Sequence, residues 1–92
     1  MTKDIVQLNS GQLISFARYG RIDGTPAFYF HGLPGSCCEG ELLHQACNKY
    51  GIDLIAPDRF GYGRTPPCEG DRYLQWVSSI NELADKLQFD KF

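Results

Sequence analysis

Residues Ala27 to Ser36 read Ala-Phe-Tyr-Phe-His-Gly-Leu-Pro-Gly-Ser, and this stretch decides the fold. The run from Ala27 to His31 is continuously apolar up to the histidine, with no polar alternation. A strand buried on both faces has this pattern, as in a parallel sheet. The chain then breaks into Gly32, Leu33, Pro34 and Gly35. The glycines permit tight turns, while Pro34 fixes one dihedral and holds Leu33 extended. A loop so restrained, at the tip of a parallel strand, holds the Leu33 N–H in one direction. Developing negative charge is stabilised by such a preorganised donor.

Outward from this stretch the pattern continues. Leu42, Leu43, Ala46, Cys47 and Tyr50 fall at helical spacing and predict a helix over 38–50. Ser36 suits its N-cap, Glu39 and Glu41 its positive end, and Gly51 the left-handed residue after it. Ile52 to Pro57 is a second apolar run, so strand 27–31, helix 38–50 and strand 52–57 form a βαβ unit. A second glycine-bearing loop follows, Asp58-Arg59-Phe60-Gly61-Tyr62-Gly63-Arg64-Thr65. Upstream, two runs joined by Asn9-Ser10-Gly11 predict an antiparallel hairpin over 4–19, and Gly20 to Pro26 reads as a loop. Downstream, Tyr73, Trp76, Val77, Ile80, Leu83, Ala84 and Leu87 make one stripe of a helix over 72–87. Asp71 suits its N-cap, Ser79 and Glu82 fall on the polar side, and Glu82 with Lys86 is a favourable pair.

Composition narrows the function classes. The chain has 92 residues, room for a single small domain spanning 1–92. A net charge of -2 excludes a phosphate-binding face, so no nucleic-acid partner is expected. No run reaches the length of a membrane span, and Met1 to Leu8 lacks a signal-peptide pattern, so a cytoplasmic setting is expected. Cys37, Cys38, Cys47 and Cys68 have no zinc-type spacing and read as thiols in a reducing compartment. Asp58 and Arg59 read as a local ion pair holding their loop, and His44 as an idle residue of the helix.

His-Gly-Leu-Pro-Gly-Ser after one buried strand, then Pro-Asp-Arg-Phe-Gly-Tyr-Gly-Arg-Thr after the next, resembles the α/β-hydrolase superfamily in its esterase-like and epoxide-hydrolase-like branches. The resemblance covers nearly the whole chain and implies an α/β fold: the antiparallel hairpin, then strand, helix, strand and helix of a partial α/β-hydrolase sheet. It implies that the Leu33 backbone N–H is half of an oxyanion hole. It assigns loop support to His31, Gly32, Pro34, Gly35, Asp58, Arg59, Gly61 and Gly63. Phe60 stands where many relatives have Pro, and Thr65 where many have Ser.

The family's nucleophile elbow, G-x-S-x-G, does not occur: Ser10, Ser15, Ser36, Ser78 and Ser79 all lack that frame. The chain therefore reads as an N-terminal portion cut before the elbow strand and catalytically inactive alone. The expected parent activity is hydrolysis of an ester-like bond in a small molecule through a serine beyond residue 92. The alternatives are an aspartate nucleophile of the epoxide-hydrolase or dehalogenase type, or a truncated binding fragment. No cofactor and no metal are implied, and an open sheet edge would favour self-association.

Overall fold

The computed structural model describes residues 2–32, 35–68, 70 and 72–92. Leu33, Pro34 and Asp71, three residues singled out by sequence, lie outside the described residues.

The hairpin forms first in the chain. Strand β1 (Thr2–Gln7) and strand β2 (Leu13–Gly20) pair antiparallel, with Val6 opposite Ile14. The turn between them closes with Leu8 N–H donating to Gln12 O at 2.8 Å and Gly11 N–H to Leu8 O at 2.9 Å. Strand β3 (Thr25–Phe28) and strand β4 (Ile52–Pro57) lie side by side in the same direction. β2 runs antiparallel to β4, giving the order β1-β2-β4-β3.

The β3 strand is shifted from the expected 27–31. Pairing begins two residues early, where Thr25 N–H donates to Gly51 O at 2.8 Å. Pro26, which argued for a loop, is accommodated because the bonds to β4 come from alternate residues, Thr25 N–H and Tyr29 N–H among them, so the Pro nitrogen faces away from β4. β3 is half-buried, Phe28 packing on the α2 side of the sheet and Ala27 on the crossover side. The main chain leaves the sheet after Tyr29, whose N–H still donates to Ile55 O at 2.9 Å.

The crossover between β3 and β4 is not one regular helix. Cys37–Leu43 winds as a 3-10 helix, and only His44–Lys49 is α-helical (α1). Ser36 caps the first segment by accepting the Cys38 N–H at 3.2 Å. Gly40 packs so closely on the Tyr19 ring and Ala56 that a side chain there would collide with the ring. Three-residue winding also carries the expected apolar stripe off the core: Leu42 is 89% exposed, and Leu43 and Tyr50 are exposed too. Gly51 ends α1 at φ +70°, the left-handed geometry expected after a helix.

Strand alternation divides the core between two layers. Ala17, Tyr19, Leu54 and Ala56 face the crossover with Cys37 and Cys47. Ile14, Phe16 and Ile55 face helix α2 (Arg72–Lys86), meeting Ile80 and Leu83. The stripe of α2 is narrower than its sequence spacing implied. Tyr73 and Val77 are exposed, whereas Ser79, placed on the polar side by its spacing, is buried. Glu82 does not pair with Lys86; it accepts the Asn9 N–H of the hairpin turn.

Candidate functional site

Both loops singled out by sequence leave the C-terminal ends of β3 and β4, where open α/β sheets hold their sites. His31 is buried and joins them. Its Nε2 accepts the Arg59 N–H at 3.0 Å, so that nitrogen carries no proton. Its Nδ1 therefore holds the proton and donates to Gly32 O at 2.7 Å. Arg59 returns the link, its Nε donating to His31 O at 2.9 Å. This geometry leaves the imidazole no free lone pair for general-base work.

Asp58 anchors the opposite side. Its Oδ1 accepts the Cys37 N–H at 2.6 Å and its Oδ2 accepts the Ser15 hydroxyl at 2.6 Å. The start of the 3-10 helix is thus tied to β4 and β2 through one buried carboxylate. Asp58 does not pair with Arg59. Among the described residues the ion pair is Arg18 with Asp53, at the other end of β4. Gly63 closes against Asp58, at φ +53° and with no room for a Cβ beside the carboxylate. Gly61 sits at φ +84°, its N–H donating to Thr65 O at 3.1 Å. Gly35 stands beside Gly32 O and the His31 ring.

Sequence reasoning missed Ser15. It is a buried polar residue inside an apolar strand, on the inward register with Ala17 and Tyr19, and that register was the available signal. Its hydroxyl touches Thr65 Oγ1 at 3.0 Å and accepts the Arg64 N–H at 3.2 Å, while its own N–H donates to Thr65 Oγ1 at 2.9 Å. The hydroxyl of Thr65 thus closes the second loop onto β2. His44, expected to be idle, accepts the Gly20 N–H at 2.8 Å.

The cysteines are free thiols in different settings. Burial, reinforced by the Asp58 carboxylate, pushes the Cys37 thiol up to about 12. A hydrogen bond from Lys3 holds the exposed Cys38 thiol below its ordinary value. Among the described residues no group of His, Cys, Asp or Glu is arranged to hold a metal ion. No described helix is long and apolar enough to cross a membrane.

A cavity of about 410 Å³ opens beside the His31–Arg59 link, between the second loop and the start of α2. Its walls include Phe60, Tyr62 and Trp76. Phe60 is buried and meets the Trp76 ring edge-on at 5.2 Å, so the aromatic residue in the place of Pro packs the loop onto α2.

Neither a family model nor a protein of curated function matches the sequence. Solved structures do match. An esterase from Exiguobacterium antarcticum superposes with a TM-score of 0.77 at 27% identity, over 92% of this chain and 31% of its own. The epoxide hydrolase VrEH1 from Vigna radiata gives 0.78 at 27% identity, over 95% and 28%. A haloalkane dehalogenase loop variant from Bradyrhizobium elkanii gives 0.77 at 23% identity, over 95% and 28%, and speaks for the fold alone. The chain thus spans less than a third of the length of each of these three structures. By fold it belongs to the α/β-hydrolase superfamily, and it corresponds to the N-terminal portion of that fold.

Proposed function

We propose that the protein to which this chain contributes hydrolyses an ester-like bond in a small molecule, with the Leu33 backbone N–H as one oxyanion donor. The single observation that carries this reading is the cross-linked pair of strand-tip loops, His31 bonded to Arg59 and Asp58 bonded to Cys37. These bonds fix both ends of the segment holding Leu33. A preorganised backbone donor loses little on meeting a tetrahedral oxyanion. The serine nucleophile, and the acid and base that would activate it, belong to sequence beyond residue 92. The Asp-Arg-x-Gly-Tyr-Gly loop and the likeness to an esterase support the serine version. The equal identity to an epoxide hydrolase supports, as the second reading, an aspartate attacking the carbon of an epoxide or halide. Four free thiols favour a reducing, cytoplasmic setting. The 92-residue chain alone is catalytically silent in this reading, and the open edge of β3 favours self-association.

The test uses the longer protein. Leu33→Pro deletes the proposed donor and should lower kcat on p-nitrophenyl acetate by roughly 10²–10³-fold. Leu33→Ala keeps the N–H and should leave kcat within a small factor. Equal losses in the two variants would reject the oxyanion role. A downstream G-x-D frame in place of G-x-S-x-G would move the reaction to the aspartate branch.

A further inference from the structure

The main chain leaves the sheet at Tyr29, whose ring packs on the crossover side of the core. It returns into the 3-10 helix, where the Glu39 N–H donates to Ser36 O at 3.1 Å. Side chains join these two ends: the Tyr29 hydroxyl donates to Glu39 Oε1 at 3.0 Å. The other oxygen of the same carboxylate lies against Gly35. A Cβ on Gly35 would run into that oxygen, and would stand 2.7 Å from Gly32 O and 3.0 Å from His31 Nδ1. Gly35 is thus seated between the Glu39 carboxylate and the His31–Gly32 link. The His31–Arg59 and Asp58–Cys37 bonds tie this loop to β4 and the loop after it, whereas the Tyr29–Glu39 bond ties its own ends together. A loop whose ends are joined samples fewer conformations.

We propose that Glu39 is a positioning residue of the strand-tip loop: through the Tyr29 hydroxyl and Gly35 it holds residues 30–38 in one arrangement, and in the longer protein it keeps the Leu33 N–H aimed. Spacing alone gave Glu39 only a place at the positive end of a helix. The catalytic consequence rests on the hydrolase reading, whereas the seating of Gly32 and Gly35 is a property of this chain alone.

The experiment measures backbone order by NMR relaxation in the 92-residue chain. Tyr29→Phe and Glu39→Ala should each lower the order parameters at Gly32 and Gly35 toward about 0.6, while Leu54 and Ile55 stay near about 0.85. Glu39→Gln keeps an acceptor for the hydroxyl and should retain the order. Combining Tyr29→Phe with Glu39→Ala should add no further loss, since both remove one bond. In the unaltered chain the Tyr29 phenol, donating to a carboxylate, should titrate above its ordinary 10.0 and fall back in Glu39→Ala. Order at the two glycines that survives both substitutions, or that falls together with Leu54 and Ile55, overturns the proposal. In the longer protein Tyr29→Phe should lower kcat on p-nitrophenyl acetate about tenfold at unchanged KM, and a loss confined to KM counts against positioning. No turnover by the unaltered longer protein would reject the hydrolase reading, and the loop order of the 92-residue chain would still judge the role of Glu39.

Discussion

Strand β4 and the loop that follows it carry two buried carboxylates five positions apart, and they are satisfied by opposite means. Asp53, near the start of β4, is fully buried and takes the Arg18 guanidinium in a two-pronged grip, at 2.8 and 2.5 Å. Asp58, just past the end of β4, is held by a hydroxyl and a backbone N–H, with no cation bonded to it among the described residues. The first end is a charge pair that fastens β2 to β4. The second is a dipole clamp that fastens two loops and a helix start around the candidate site. A cation at the second end would put a fixed charge beside the place proposed for a developing oxyanion. Neutral donors fix the geometry there without adding one.

The comparison predicts unequal losses when each carboxylate is deprived of its side-chain donor. Arg18→Ala should cost about 3 kcal/mol in urea unfolding, the low end for orphaning a buried charge, because water reaches the Arg18 side of the pair. High salt should narrow that loss, since screening weakens what the wild type holds.

Ser15→Ala should cost about 1.5 kcal/mol, the value of one hydrogen bond to a charged acceptor. Its loss should not depend on salt, and amide exchange should quicken at Cys37, whose N–H shares the same carboxylate. Equal losses at the two ends, with equal salt dependence, would erase the distinction between pair and clamp.

The fold was largely legible in the sequence because it rests on strong local patterns. Apolar runs gave β3 and β4, an Asn-Ser-Gly turn gave the hairpin, and heptad-like spacing gave α2. What stayed hidden depended on neighbours distant in sequence. Gly40 reveals nothing about 3-10 winding until Tyr19 is set against it. Pro26 looks like a strand breaker until the register shows its nitrogen turned away from β4. The loop support of His31 and Asp58 was implied by resemblance, but their partners were not. Asp58 beside Arg59 suggested an ion pair, and chain folding gave each a different partner. Ser15, the residue joining the second loop to β2, carried only the faint signal of a hydroxyl on an inward register.

The smallest expected effect separates the two ends by pH. From a position opposite Leu54, Tyr19 reaches the site end with its hydroxyl, which donates to Cys37 O at 2.8 Å, and burial pushes its phenol up to about 12. Cys37 beside it is also pushed up to about 12. Both groups are held neutral by the fold, so their contribution to stability is complete below the ordinary values of 9.0 for the thiol and 10.0 for the phenol. It is lost as pH climbs from there toward about 12, where the folded groups also ionise. At the other end Arg18 is raised further by its bond to Asp53 and titrates nowhere in that window. Alkaline loss of stability between these limits should therefore arise at the site end. Tyr19→Phe should cost about 1 kcal/mol at neutral pH through the unpaired Cys37 carbonyl, yet flatten the decline above pH 10.0. Arg18→Ala should lower the whole curve without changing that slope. If Arg18→Ala flattens the decline and Tyr19→Phe does not, the assignment of charge to one end and dipoles to the other is reversed.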